Sequence, residues 1–399
     1  MTLIYLTNYL NHHTRFLAEE LYRLLGNDFF FIETENQHQS APDFQMGYAF
    51  YFAQTGRETL YEWCLQAYDP AQAELCHELV DRSDVVIIGN AEETWLRRRR
   101  KEHKLTFLAH ERWYRRGFPR KQLLRAYVGG WLHHRRFPEQ YLLSTSAYTA
   151  MDAARIGCYR GKAYRWSYYP RPCSYTWQEL TGLKCHEIPQ ILWAGRLIDW
   201  KHTEDAISAC IKMNSEGYRF QLMIAGAGPE ESRLKALCAE KGCTEIIRFL
   251  GVQTPEQVRN LMADSNIFLL TSDFQEGWGV VLNEAMGSGC AVVASHAAGA
   301  TPYLVEHGTN GLIYQSGNVK DLETQLRELL RCPEKQIEYG FAAYTDIQTC
   351  WHPSEGAKRL IALSERLLQK QSADIYDSGP CSRAPLLGND WWKVQNREV

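Results

Sequence analysis

Phe268–Ser295 reads FLLTSDFQEGWGVVLNEAMGSGCAVVAS. The apolar run Ile267–Leu270 has the continuous character of a strand buried on both faces, and it closes at Thr271-Ser272. A polar loop follows and ends in Glu276-Gly277-Trp278-Gly279. A helix is then expected from near Val280 to Gly287-Ser288-Gly289, with Cys290–Ala294 opening the next strand. Strand, glycine loop, short helix and strand make up the pattern of an open α/β sheet. Such sheets bind ligands outside the carboxyl ends of their strands. Glu276 and Glu284 fall at the helix entrance and about a turn inside it. Two carboxylates beside free backbone N–H groups suit a phosphorylated, hydroxyl-rich ligand. Helix capping by acids would place the same residues there, so the stretch does not decide alone.

Working outward, the second half repeats the pattern. Ile191–Ala194 reads as a strand with Gly195-Arg196-Leu197-Ile198-Asp199-Trp200-Lys201 as its loop, and His202–Met213 as the following helix. Phe220–Ala225 is a strand ending in Gly226-Ala227-Gly228-Pro229, followed by a helix over Glu230–Glu240. Ile246–Leu250 and Pro255–Asp264 are the next strand and helix. Gly226 and Gly228 lack the third glycine of a dinucleotide fingerprint, so they read as a tight strand-to-helix turn lining a nucleotide cleft. Arg196 and Lys201 share a strand end, on the same sheet edge as Glu276. Cations there can stabilise the charge that develops on a departing diphosphate without a metal.

The first half alternates in the same way. Strands are expected at Thr2–Thr7, Phe29–Ile32, Asp84–Ile88, Lys104–Ala109 and Tyr141–Ser144. Helices are expected at Thr14–Leu25, Ala71–Asp81 and Glu92–Glu102, with a further one of about ten residues capped by Ser146. Tyr48–Asp69 fits no pattern. Asn11, His12 and His13 follow the first strand, and His110 and Glu111 follow the strand at 104–109. These are the places where a doubly wound sheet presents its chemistry, and a neutral imidazole there can bind a hydroxyl or help move a proton. Pro170, Pro172 and Pro189 mark a linker between the halves.

The 399 residues, 45% hydrophobic and 23% charged, suit a globular chain of more than one domain. Met1–Asn8 lacks a basic region and a long apolar core, so no secretion signal is expected, and no stretch is long and apolar enough to span a membrane. The 12 cysteines form no CxxC pair or zinc-type cluster, consistent with reduced thiols in the cytoplasm. The net charge of −3 hides an asymmetry: Leu96–Arg136 carries fourteen Lys or Arg against Glu102 and Glu111, a local +12. With the aromatics from Trp95 to Phe137, segment 95–137 points to an anionic membrane surface or an acidic ligand.

Taken together, these pieces resemble the donor-binding domain of the family-four retaining glycosyltransferases. The matching residues are Gly195-Arg196-Leu197 with Lys201, Ala225–Pro229, Glu276–Gly279 through Asn283–Gly287, and Glu306–Gly311, over about residues 190–330. The resemblance implies a GT-B fold of two facing Rossmann-like, doubly wound α/β domains with the active site between them. The implied domains are an acceptor domain at 1–169, a linker at 170–188, a donor domain at 189–350, and a crossover helix with tail at 351–399 packing back on the first. It also implies that Glu276 contacts the donor sugar, Glu284 the nucleotide ribose, and the N–H groups of Gly277, Trp278 and Gly279 the sugar and phosphate. Arg196 and Lys201 would grip the diphosphate, and His110 falls where a catalytic-region histidine is often found. Asn11, His12, His13 and Glu111 are the acceptor-side candidates. Two departures stand out: Asn8–His13 replaces the usual glycine-rich turn, and Pro302-Tyr303 stands where Pro-Glu is common.

The function expected is retaining transfer of a hexosyl-type sugar from a nucleoside diphosphate sugar to an acceptor hydroxyl, by front-side displacement. The acceptor would be a glycan or lipid-linked glycan of bacterial envelope or exopolysaccharide assembly, and the enzyme peripheral on the inner face of the plasma membrane. No cofactor, metal or nucleic acid partner is expected. Two other classes fit parts of the pattern: a GT-B epimerase or phosphorylase, and a catalytically silent module that binds membrane or nucleic acid through its basic segment.

Overall fold

The computed structural model describes residues 1–36, 61–118, 121 and 123–395. Most of the unassigned stretch 48–69, up to residue 60, lies outside the described residues, as does Arg120 of the basic segment. The chain divides into two compact units, one of residues 1–171 with 350–387 and one of residues 172–349 with 388–399.

The second unit holds a six-stranded, all-parallel sheet. Its strands are β8 (Gln190–Ala194), β9 (Gln221–Ala225), β10 (Ile247–Gly251), β11 (Ile267–Leu270), β12 (Ala291–Ser295) and β13 (Leu312–Tyr314), in spatial order β10-β9-β8-β11-β12-β13. Relative to the first strand of the unit this is the 3-2-1-4-5-6 order of a doubly wound sheet, whose direction reverses between β8 and β11. The strands read as unbroken apolar runs because helices cover both faces. Ile191, Leu222, Ile224, Ile267, Leu269 and Val293 are buried against Ile207, Met213, Leu234 and Leu326 of the helices. Each such side chain contributes about 1.5–3 kcal/mol by leaving water.

The first unit repeats the plan, with seven parallel strands among its described residues: β1 (Leu3–Thr7), β2 (Phe29–Glu33), β3 (Cys64–Gln66), β4 (Val85–Ile88), β5 (Thr106–His110), β6 (Gln140–Ser144) and β7 (Ala163–Arg165), in order β3-β2-β1-β4-β5-β6-β7. The reversal falls between β1 and β4. Gly89 is required there, since a Cβ would lie 2.8 Å from Thr7 Oγ1, the hydroxyl that also accepts from Asn90 N at 3.1 Å. The helix Pro353–Leu368 returns to this unit, where Ala357, Leu360 and Leu363 join a core shared with Leu17, Ala18 and Leu21 of the helix Arg15–Leu25.

Several expectations change. The expected linker 170–188 contains a helix, Trp177–Leu183, started by a Thr176/Glu179 capping box and packed through Trp177 against Phe341 and Tyr344. The described part of the tail does not stay with the first unit. Residues 388–395 belong to the second, where Asn389 O meets His296 Nε2 at 3.2 Å and Trp392 sits edge-on to His307. The charged helix expected at 92–102 is a 3-10 turn, Glu93–Leu96, continued by five helical residues, Arg97–Lys101. The helix after Ser146 is short, Thr149–Arg155, and Tyr148 rather than Ser146 precedes it. A helix at Leu123–Gly130 and the strands β3 and β7 add to the expected elements.

Two arginines of the basic segment are interior. Arg99 is fully buried, and its guanidinium donates to the carbonyls of Val80, Ser83, Asp84 and Leu105 at 2.8, 2.7, 3.2 and 2.7 Å. Burial pushes its pKa down to about 10. Arg112 pairs with buried Asp152 at 3.3 Å. Arg99→Met keeps the stem but removes the donors from four buried carbonyls. It is expected to cost about 3 kcal/mol and to lower the calorimetric melting transition by several degrees. An unchanged transition would contradict this structural role.

Candidate functional site

The loops at the carboxyl ends of β8 and β11 are fastened together at the point where the strand order reverses. Trp193 Nε1, on β8, donates to Thr271 Oγ1 at 2.9 Å, and that hydroxyl donates to the carbonyl of Lys201 at 2.6 Å. Asp273 N donates to Trp200 O at 3.0 Å. The backbone carrying Lys201 is therefore held against the backbone leading to Glu276.

Lys201 Nζ forms an ion pair with Glu276 Oε2, and Ser272 Oγ donates to the same oxygen at 2.9 Å. The two side chains retain only 12% and 11% exposure. Both bonds fall on Oε2, and Oε1 accepts no hydrogen bond among the described residues. Glu276 does not cap the helix Val281–Gly287, whose first residues have no side-chain cap, so the capping explanation fails for it. Gly279, at φ 92°, packs its α-carbon face on Glu276, where a Cβ would lie 3.3 Å from Cγ. Among the described residues the N–H groups of Gly277 and Gly279 donate to no protein acceptor. Trp278 is buried, with its indole N–H on Asn283 Oδ1 at 2.7 Å. Tyr303, the departure noted above, sits 6.1 Å from the Trp278 ring and is buried too.

Arg196 is exposed at the end of β8 and makes no ion pair among the described residues. The structure thus joins Lys201 to Glu276 and leaves the Arg196 guanidinium in solvent. Gly226 and Gly228 serve the backbone. A Cβ on either would strike the carbonyl of Gly195 or Leu197, because the β8 loop runs alongside, with Leu197 N on Ala227 O at 3.0 Å. Their smallness lets the Arg196 loop lie close to β9.

Glu284 is partly buried one turn into its helix and accepts no side-chain hydrogen bond among the described residues. Burial raises its carboxyl to about 7, against a small opposing pull from Arg259. His202 is a site residue that the sequence reading passes over. It takes a left-handed backbone at φ 47° and lies 3.6 Å from Glu204 and 3.4 Å from Asp273. The Glu204 contact foremost raises it to about 9, so it is charged at neutral pH and adds to the positive loop. The available signal is its position directly after Lys201 and before two acids.

In the first unit, the candidates gather around Tyr168. Its hydroxyl donates to Glu111 Oε1 at 2.8 Å and its ring stands 5.7 Å from His13. The other Glu111 oxygen pairs with Arg115. Burial, aided by the His12 ring 3.6 Å away, holds His13 well below the usual histidine range and therefore neutral. Asn11 serves the backbone, since its Oδ1 accepts from His13 N and Thr14 N at 2.9 and 3.1 Å and starts the helix. His110 Nδ1 donates to the Glu111 carbonyl at 2.7 Å, so in the neutral ring Nε2 carries the free lone pair.

Residues 183–346 match the family described as glycosyl transferases group 1. The chain is similar to the amylovoran biosynthesis glycosyltransferase AmsK of Erwinia amylovora, at 29% identity over 46% of each chain. It is also similar to the putative colanic acid biosynthesis glycosyltransferase WcaL of Salmonella typhimurium, at 30% identity over 37% of this chain and 38% of that one. The matches thus span less than half the length of these relatives. In fold, the chain is similar to Anabaena Alr3699/HepE, solved in complex with UDP. The TM-score is 0.67 and the identity 17%, covering 92% of this chain and all of that one. Sucrose-phosphate synthase from Thermosynechococcus elongatus matches at TM-score 0.63 and 15% identity, over 93% of this chain and 100% of its own. At these identities the likeness concerns the GT-B fold alone.

The raised carboxyl of Glu284 has a consequence for stability. A buried acid whose folded pKa lies above its ordinary 4.5 is protonated in the fold at pH values where the unfolded chain has released the proton. Stability is therefore lost as pH rises from about 4.5 to about 7, by roughly 3 kcal/mol at most. Glu284→Gln removes this loss. The difference in melting temperature, variant minus wild type, is expected to grow by several degrees between pH 5 and pH 7.5. A pH-independent difference would contradict the shift.

Proposed function

We propose that the chain, which belongs through its second unit to the group 1 glycosyl transferases, moves a sugar from a nucleoside diphosphate donor to an acceptor hydroxyl with retention at the anomeric carbon. The observation that carries this is the fastened pair Lys201–Glu276 beside exposed Arg196, at the point where a doubly wound sheet opens its ligand crevice. Glu276 Oε1 accepts from a hydroxyl of the donor sugar. Glu284, which has no side-chain partner among the described residues, accepts from the ribose hydroxyls, and the N–H groups of Gly277 and Gly279 meet sugar and phosphate oxygens. Arg196 and Lys201, with charged His202 nearby, hold the diphosphate. In this reading side chains carry the leaving-group charge, and no metal or cofactor is called on.

The bond between the anomeric carbon and the diphosphate oxygen breaks, with its electron pair going to that oxygen. The acceptor oxygen forms its bond on the same face, and its proton passes to the departing phosphate, so no enzyme nucleophile is used. Cations that stabilise charge developing only in the transition state raise kcat rather than lowering KM. The first unit is assigned the acceptor, with His110 able to hydrogen-bond a hydroxyl through Nε2.

The acceptor proposed is a glycan, lipid-linked, in the assembly of an extracellular polysaccharide, as the names of the amylovoran and colanic acid relatives support. Among the described residues no helix is long and apolar enough to cross a membrane. We place the enzyme at the cytoplasmic face, held to an anionic membrane by segment 95–137.

A panel of uridine, guanosine, adenosine and thymidine diphosphate sugars, scored by thermal shift and slow donor hydrolysis, tests the donor. One family of nucleotide is expected to raise the melting temperature by several degrees at a hundredfold excess over its Kd; no shift with any of them would overturn the proposal. Glu276→Gln is expected to lower kcat/KM about a hundredfold while leaving the nucleotide-induced shift in place. Wild-type turnover in that variant would remove Glu276 from the site.

A further inference from the structure

The helix Leu123–Gly130 and the π-helical turn Trp131–Arg135 that continues it are built inside out. The side turned to the first unit is small or polar. Ala126 packs on the core, a Cβ on Gly130 would come within 2.9 Å of Cys158 Sγ, and His134 Nδ1 meets Tyr159 OH at 3.1 Å. The outward side carries Leu124, Val128, Trp131 and Leu132, each between 39% and 79% exposed, while Tyr127, 41% exposed, lays its ring along Gly157. Their three- and four-residue spacing makes one continuous apolar stripe. A helix lying on a water-facing core shows the reverse pattern, and a large apolar stripe rimmed by cations is what an interfacial helix presents to a lipid leaflet.

Leu132 belongs to a second feature as well. It lines a cleft of about 570 Å³ whose walls are Glu93, Thr94, Arg97, Arg100 and Lys101 on one side and His133, Arg136 and Phe137 on the other. Four cations face one carboxylate, and that carboxylate is already engaged: Glu93 Oε2 lies 2.7 Å from Arg100. Arg100 is further fixed by the His133 carbonyl at 2.9 Å and by the Phe137 ring, 4.5 Å from its guanidinium. Arg97, Lys101 and Arg136 are exposed and make no ion pair among the described residues. The cleft is thus a preformed cationic cup with room for an anion of more than one charge, and Leu132 joins it to the apolar stripe.

We infer that this cleft is the headgroup site for a phosphate-bearing membrane lipid, with the stripe Leu124–Leu132 buried in the same leaflet. The inference rests on the membrane association proposed above and gives it an orientation and a ligand class. A soluble polyanion or a nucleic acid would satisfy the cations but leave the stripe in water; a lipid phosphate at the bilayer surface satisfies both. The shared residue Leu132 sets the depth, placing the cationic cup at headgroup level when the leucines and Trp131 reach the acyl boundary.

The test uses the full chain and vesicles of phosphatidylcholine containing either phosphatidylglycerol, a phosphodiester, or phosphatidic acid, a phosphomonoester, matched in surface charge. Wild type is expected to sediment with both at low salt and more tightly with phosphatidic acid. The variant Arg97→Ala/Lys101→Ala/Arg136→Ala is expected to lose that preference and to bind phosphatidic acid vesicles roughly a hundredfold more weakly, about a factor of five for each cation. Leu124→Glu/Trp131→Glu is expected to lose binding to both vesicles. Melting curves establish that both variants are folded. A preference retained by the first variant, or wild-type binding by the second, would overturn the inference while leaving membrane association standing. Failure of wild type to bind either vesicle would overturn the association itself. Inorganic pyrophosphate binding that the stripe variant keeps and the Arg97→Ala/Lys101→Ala/Arg136→Ala variant loses, without displacing wild type from vesicles, would assign the cleft to a soluble anion and overturn the lipid assignment.

Discussion

In the proposed reaction, the second unit's part depends on one buried ion pair, Lys201 with Glu276. Removing two opposite charges from water is expensive, and the attraction between them often no more than repays the cost. A pair of this kind contributes little net stability, so its presence asks for another reason. The reason lies in how it is held. Ser272 donates to the same carboxylate oxygen, Thr271 fixes the carbonyl of Lys201, and Trp193 fixes Thr271. Three strand-end residues thus set the position of two charged groups before any ligand arrives. Preorganised charge of this type costs no reorganisation when charge develops on a substrate.

The sheet order explains why this happens between β8 and β11. Reversal of winding leaves two neighbouring strand ends with their loops diverging, and the crevice between them is the one place where both loops can reach a common ligand. The glycines of the β9 turn serve that geometry indirectly. Gly226 and Gly228 admit the β8 loop against their own backbone, which puts Arg196 at the rim. Glu284 sits behind, with a carboxyl raised to about 7 by burial, a cost that a ligand with paired hydroxyls would relieve.

Much of this is legible in the sequence where a local pattern and the tertiary environment agree. β11, β12 and β4 are uninterrupted apolar runs because both faces are buried. The helix Pro255–Asp264 shows itself through Thr254, Pro255 and Gln257, the first and last of which form its capping box. What is not legible has physical causes. β3 and β7 are three-residue edge strands, too short for any periodicity. Leu123–Gly130 turns its apolar residues outward, so a search for a core-facing stripe passes over it. Arg99 and Arg112 stand in a run of cations that reads as a solvated face, although their partners are carbonyls and an aspartate that are distant in sequence. The catalytic glutamate and lysine candidates are visible as residues, but the contact between them is not, because 75 residues separate them and only the sheet brings them together.

If Lys201 is held beside Glu276 to receive a diphosphate, removing its charge should abolish the part of the binding energy that the phosphates supply. Calorimetric titration of wild type and Lys201→Met with a nucleoside and its diphosphate measures that part directly. The expected result is that wild type binds the diphosphate far more tightly than the nucleoside, while the folded variant binds the two with similar, weak affinity. Full discrimination between diphosphate and nucleoside in Lys201→Met would contradict the role assigned to the pair.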